Sequence, residues 1–219
     1  MATHINKTAI VLGATGLVGS HVLNLLLGDE CYSAVKVFHR RPTGIKHKKL
    51  EEHVIDFDNI ESWSEQLTGD ELYSAMGTTL KKAGSKEAQY KIDVTYPLEA
   101  AKAAAANGVK NYSLVSSAGA NKESKFFYPR IKGELDDAVS GLSFDRISIM
   151  RPSILDGDRK ESRPGERFGL AAMRIAGKIP GLKKYRPILA KQVAMAMINS
   201  LKDDAKGCFI FETDEVFHL

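Results

Sequence analysis

The sequence is short of cysteine, of long apolar runs and, over one stretch, of acid. Cys31 and Cys208 are the two cysteines among 219 residues. They lack metal-ligand spacing and are too few for a disulfide framework, so a thiolate metal centre and a stapled secreted scaffold are both excluded. A reducing compartment is the expectation. Residues 8–28 are the one stretch apolar enough to suggest a leader or a membrane span. Three evenly spaced glycines, His21 and Asn24 interrupt it, and a single lysine, Lys7, stands before it. A lipid-facing helix and a secretory leader both fit poorly. The protein is therefore expected to be cytoplasmic, with no membrane contact. Net charge is a mild +4, which suits an anionic small molecule and makes no case for nucleic acid. There is no internal repeat, no low-complexity tract and no interdomain linker.

What is present is an alternation of strand-like and helix-like stretches. It predicts an α/β doubly wound, mostly parallel sheet in one domain over 1–219. Residues 151–219 are expected to form a reduced substrate-side lobe. The first unit is the clearest. Thr8–Leu12 reads as a buried strand, Gly13-Ala14-Thr15-Gly16-Leu17-Val18-Gly19 as a turn, and Leu17 to Leu27 as a helix closed by Gly28. Gly13 permits a sharp turn, Gly16 lets backbone approach a phosphate, and Gly19 lets the helix pack closely. The free amides and dipole of that helix favour an anion. The stretch is read as a dinucleotide pyrophosphate site, with Gly13, Thr15, Gly16, Leu17 and Val18 around it.

Further strands are expected at Ala34–Phe38, His53–Ile55, Leu72–Ala75, Asn111–Val115, Phe144–Met150 and Cys208–Phe211. Helices are expected over Ser85–Ala106, broken or kinked at Pro97, and over Tyr128–Val139, Glu166–Ala176 and Ala190–Leu201. Residues 156–165 should be a loop.

The missing acid has a meaning. From Cys31 to Leu50 there is no Asp or Glu, although NAD-preferring sites carry an acid at the end of the second strand. That strand runs instead into Arg40-Arg41. Either guanidinium could pair with a 2′-phosphate, which favours NADP(H) over NAD(H). The plain alternative is a solvated basic loop, the reading given to Lys46–Lys49. Asp56, after the third strand, is either an adenine contact or an ordinary loop carboxylate.

Chemistry is expected at Ser116-Ser117 and at Tyr128-Pro129-Arg130-Ile131-Lys132. The Tyr-x-x-x-Lys spacing puts both side chains on one helix face. An ammonium near a phenol favours the phenolate, so tyrosine can act as general acid or base. The serines end the fifth strand, at the edge where such sheets bind ligands. Pro129 puts Tyr128 close to the helix start. An amphipathic helix with a packed tyrosine and a solvated lysine is the plain alternative.

These residues give the chain a resemblance to the atypical short-chain dehydrogenase/reductases, the NAD(P)-dependent epimerase/dehydratase-like branch. It is especially similar to the small oxidoreductases related to the human Tat-interacting protein. The likeness rests on the glycine turn, Gly77-Thr78-Thr79, Asp93-Val94-Thr95, Leu98-Glu99-Ala100-Ala101, Gly108-Val109-Lys110, Ser116-Ser117, Tyr128 through Glu134, and Arg151-Pro152-Ser153. It continues through Arg163-Pro164-Gly165-Glu166 and Arg186-Pro187-Ile188. The resemblance implies a Rossmann fold in which Tyr128 handles the proton and Lys132 binds the nicotinamide ribose. Ser117 would polarise a carbonyl, with Ser116 as the substitute. Gly77, Thr78, Pro152 and Ser153 would line the cofactor trough. No metal is implied. The part after Arg151 is far shorter than the substrate lobe of sugar-nucleotide epimerases, which argues against a large nucleotide-sugar substrate. Two functions follow as expectations. One is an NADPH-dependent oxidoreductase of a small carbonyl or alcohol. The other is an NADPH-binding regulatory module with a protein partner. Either would be a monomer or a homodimer.

Overall fold

The first strand, β1 (Lys7–Leu12), sits at the centre of the fold because its apolar residues serve both faces. Ile10 and Leu12 point to one side and Ala9 and Val11 to the other, all fully buried. A strand covered on both sides reads as a continuous apolar run. The computed structural model describes residues 6–156 and 186–219. Within these, seven strands form one sheet in the order β3-β2-β1-β4-β5-β6-β9, and every pairing is parallel. The strands are β2 (Tyr32–His39), β3 (Leu50–Val54), β4 (Glu71–Ser74), β5 (Asn111–Val115), β6 (Arg146–Arg151) and β9 (Gly207–Glu212). The order reverses beside β1, which places a ligand crevice at the carboxyl ends of β1 and β4. This is the doubly wound Rossmann arrangement that the alternation predicts. A separate two-stranded pair, β7 (Leu155–Asp156) and β8 (Ile188–Leu189), lies beyond β6.

Helices cover both faces. On one side α1 (Leu17–Gly28) and α6 (Ala190–Asn199) bury Val18, Val22, Leu26, Val193 and Met197 against Val35 and Val37. On the other, α4 (Tyr96–Ala106) and α5 (Phe127–Ser140) bury Ala100, Ala104, Ile131 and Leu135 against Leu72, Leu114 and Ile149. Thus α6 and β9, both from residues 151–219, join the main core. The helix expected over Glu166–Ala176 lies outside the described residues.

Most strands shift by a residue or two from expectation, and three differences have a visible cause or consequence. Strand β3 starts at Leu50, earlier than His53. Strand β6 starts at Arg146 rather than Phe144, because Phe144 stacks on Tyr112 at 5.1 Å in the preceding turn. Pro97 does not break the helix before it. A π-helical turn, Lys91–Thr95, joins α3 (Lys86–Tyr90) to α4. Pro97 then falls in the first turn of α4, where its missing N–H costs little.

At the amino end of the sheet, Glu71 is 1% exposed and accepts from Lys7 Nζ at 2.7 Å and from the hydroxyls of Tyr32 and Tyr73 at 2.6 Å each. Three donors satisfy this buried carboxylate. It lies at the end of the sheet away from the ligand crevice and is structural. Both cysteines are free. Among the described residues no helix is long and apolar enough to cross a membrane.

Candidate cofactor and catalytic site

Leu12 pairs with Phe38 of β2 and with Ser74 of β4, so the turn after β1 lies between Arg40 and the segment leaving β4. Gly13 has φ +80°, and a Cβ there would stand 2.6 Å from the Ala75 carbonyl oxygen. Its own carbonyl accepts from the Gly16 amide at 2.8 Å. A Cβ at Gly19 would be 2.1 Å from that same carbonyl. Turn and helix therefore touch through backbone alone. Gly16 caps α1 in extended geometry, with no side-chain cap bond and no acid in the first turn. The amide end of α1 is thus open to an outside anion. Thr15 is exposed and Leu17 half-buried, while the Val18 side chain belongs to the core.

Arg40 and Arg41 are exposed just past β2, and neither has a hydrogen bond or ion pair among the described residues. Asp56 is exposed and its carboxylate accepts from the Asp58 amide at 3.0 Å, a local turn. Gly77 and Thr78 follow β4. The Thr78 amide donates to Asp93 Oδ1 at 2.6 Å, and Gln89 donates to Asp93 Oδ2 at 3.2 Å. Asp93, on the π turn, is 1% exposed. No local signal beyond its place in Asp93-Val94-Thr95 marks it, yet it holds the segment after β4 in place.

On α5, Tyr128 is 43% exposed and Lys132 is 3% exposed. The helix starts at Phe127, so Tyr128 and Pro129 both fall in its first turn. Lys132 Nζ donates to the Val115 carbonyl at 3.1 Å, at the end of β5. Next in the chain, Ser116 is buried and its hydroxyl donates to Asp136 Oδ2 at 2.8 Å. Ser117 is half-buried, and its hydroxyl makes one long bond, 3.4 Å, to the Ala118 carbonyl. The two serines therefore differ: Ser116 is committed to Asp136, and Ser117 remains available. Pro152 is buried and accepts from the Ala118 amide at 2.9 Å; Ser153 donates to the Arg186 carbonyl.

Two further residues complete the site. Asp136 is one turn past Lys132, and Arg151 Nε reaches its Oδ2 at 2.9 Å while Arg151 Nη1 reaches Glu212 Oε1 at 2.8 Å. Burial pushes the Asp136 carboxyl up, against the pull of Ser116, Lys132 and Arg151. Burial likewise raises Asp93, opposed first by Lys132. One buried ammonium thus serves two buried carboxylates. The signal for Asp136 was its spacing: Tyr128, Lys132 and Asp136 recur every fourth residue on one face. Gly133 also matters. A Cβ there would meet the Lys122 amide nitrogen at 2.3 Å, so its absence lets the loop after Ser117 lie against α5.

Known proteins resemble this chain in sequence and in fold. The profile of the NAD(P)H-binding family matches residues 13–160, more than half of the chain. The protein fmp52, mitochondrial, of Aspergillus niger is 40% identical over 200 residues, covering 87% of this chain and 85% of that protein. Protein HTATIP2 of Rattus norvegicus is 33% identical over 220 residues, covering 98% and 89%. Among solved structures, the UDP-N-acetylglucosamine 4-epimerase of Methanobrevibacter ruminantium superposes with a TM-score of 0.71 at 15% identity, covering 98% of this chain and 81% of that one. At that identity the likeness is one of fold. The expectation of a cytoplasmic protein is overturned by the relatives, since the fmp52 proteins of three Aspergillus species are named mitochondrial. That expectation rested on a poor secretory leader, and a poor secretory leader says nothing about import into another organelle. By its profile match and its relatives, the chain belongs to the NAD(P)H-binding family, as a homologue of HTATIP2 and fmp52 with the fold of the epimerase/dehydratase-type short-chain dehydrogenases.

Proposed function

We propose that the protein is an NADPH-dependent oxidoreductase of a small carbonyl or alcohol. The observation that carries this reading is on α5: an exposed Tyr128 and a buried Lys132 share one face, and Lys132 is bonded to the end of β5, where the Ser117 hydroxyl makes a single long bond. The glycine turn, the uncapped end of α1 and the segment held by Asp93 fit a dinucleotide. When bound, the nicotinamide supplies or accepts the hydride. The protein supplies position and the proton. Tyr128 gives its phenolic proton to the carbonyl oxygen in reduction and takes one from the alcohol in the reverse direction. Ser117 donates a hydrogen bond to that oxygen. Lys132, one helical turn past Tyr128 and anchored to the Val115 carbonyl, reaches toward the ribose. Preference for NADPH is supported by unpaired Arg40 and Arg41 beside the glycine turn.

The test is NADPH consumption over a broad panel of carbonyls, with wild type and Tyr128→Phe compared. Turnover by wild type that falls in the variant supports the reading. Equal turnover by both overturns the catalytic assignment. Tight NADPH binding with no turnover on any carbonyl favours the regulatory module instead.

A further inference from the structure

The two arginines stand on a span that is fixed at both ends. Upstream is His39, the last residue of β2, 5% exposed, whose carbonyl accepts from the Ile55 amide at 2.9 Å. Downstream is Thr43. It gives Glu52 Oε1 two hydrogen bonds, from its backbone N–H at 2.8 Å and from its hydroxyl at 2.5 Å. The same hydroxyl accepts from the Ile45 amide at 3.1 Å. Pro42 fixes its own φ, and Gly44 turns the chain at φ +77°. Glu52 lies on β3, so the clasp ties the loop to the sheet. His39 Nε2 stands 3.5 Å from the same Glu52 oxygen, with neither ring nitrogen in a hydrogen bond.

A loop of exposed arginines gains little specificity if its backbone wanders, because ordering a long side chain on a loose loop costs entropy at binding. Here the backbone part of that ordering is done beforehand. We propose that Thr43 and Glu52 are positioning residues for 2′-phosphate recognition: they fix the backbone that carries Arg40 and Arg41 and so set the preference for NADPH over NADH. The inference rests on reading Arg40 and Arg41 as the phosphate-binding pair. The carboxylate is suited to this role. The Thr43 bonds hold Glu52 below its ordinary range, so it stays an ionised acceptor near neutral pH.

The experiment titrates the full chain with NADPH and with NADH, following cofactor fluorescence. It compares wild type, Thr43→Val, Thr43→Ser, Glu52→Gln and the double variant Arg40→Ala, Arg41→Ala. Weakening of the clasp, by loss of its hydroxyl donor in Thr43→Val or of its carboxylate charge in Glu52→Gln, should weaken NADPH about five- to tenfold, one charge-assisted bond's worth of order, and leave NADH within about twofold. Thr43→Ser keeps the hydroxyl and should bind NADPH like wild type. If wild type binds both cofactors equally, or the double arginine variant keeps its preference, the phosphate reading itself fails. If that variant loses its preference while Thr43→Val and Glu52→Gln keep theirs, the positioning role is overturned. Equal weakening of both cofactors overturns it too, since that marks general damage to the loop.

Discussion

Arg151 holds Asp136 across the gap between β6 and α5, guanidinium Nε to carboxylate Oδ2 at 2.9 Å. Asp136 is the third member of the helix face that carries Tyr128 and Lys132. Through Ser116 on one side and Glu212 on the other, the pair links the end of β5 to the edge strand β9. Removing one partner of a buried pair strands the other, and the loss is far larger than for a surface pair. Asp136→Ala should lower the free energy of unfolding by about 3 kcal/mol. Urea denaturation measures this. A loss under about 1 kcal/mol would mean that the network contributes little to stability.

Tyr128 offers the opposite profile. It is 43% exposed, and removing its hydroxyl disturbs no packed core. Tyr128→Phe should change stability by less than about 0.5 kcal/mol. Turnover should fall by about a hundredfold or more, the usual scale for losing a positioned proton donor. Thermal melting and steady-state kinetics on one preparation separate the two effects.

One glycine within α5 and one just past its end make a matched test of close approach. A Cβ at Gly133 would meet the Lys122 amide at 2.3 Å, whereas one at Gly141, just past the helix, would meet nothing within 4 Å. Gly133→Ala should destabilise the fold by about 1–3 kcal/mol and disturb the loop that carries Ser117. Gly141→Ala should be neutral or stabilising by about 0.4–1 kcal/mol. Equal melting temperatures for the two variants would refute the contact.

His39 gives a dependence on pH. Burial holds it below its ordinary value of about 6.5, aided by His53 and opposed by Glu52. As pH falls through that ordinary value, the unfolded chain takes up its proton first. Stability from this group is therefore full above about 6.5 and declines below it. Wild type should lose more stability than His39→Gln between about pH 7.5 and about pH 5.5. Denaturant midpoints at the two pH values decide it, and equal losses would refute the role of His39.

Much of the framework was legible because single residues carry it. The apolar run Ala9–Leu12 and the three glycines after it specify strand, turn and helix by local sterics alone. The Tyr128–Lys132 spacing was equally local. What stayed hidden depends on pairing across long separations. Asp136 meets Ser116 from 20 positions away, and Arg151 meets Glu212 from 61. Nothing near Asp136 in sequence marks it as buried, except its place on the helix face. The clasp of Thr43 on Glu52 needs β3 in register with β2, and the expected β3 began too late to include Glu52. Pro97 predicts a break or a kink; the helix runs on, and the irregularity falls one turn earlier, in the π turn Lys91–Thr95.

That π turn also bears on chain length. It holds one more residue than a regular helical turn, and Asp93 sits within it, bonded to the Thr78 amide and to Gln89. Deleting a single residue between Tyr90 and Tyr96 would leave a regular α turn with both flanks in phase, so Ala100 and Ala104 would still meet the sheet. What would be lost is the widened turn that aims the Asp93 carboxylate at the Thr78 amide. Chain length is usually most forgiving in loops; here a stretch of helix can give up a residue, and the segment after β4 bears the consequence.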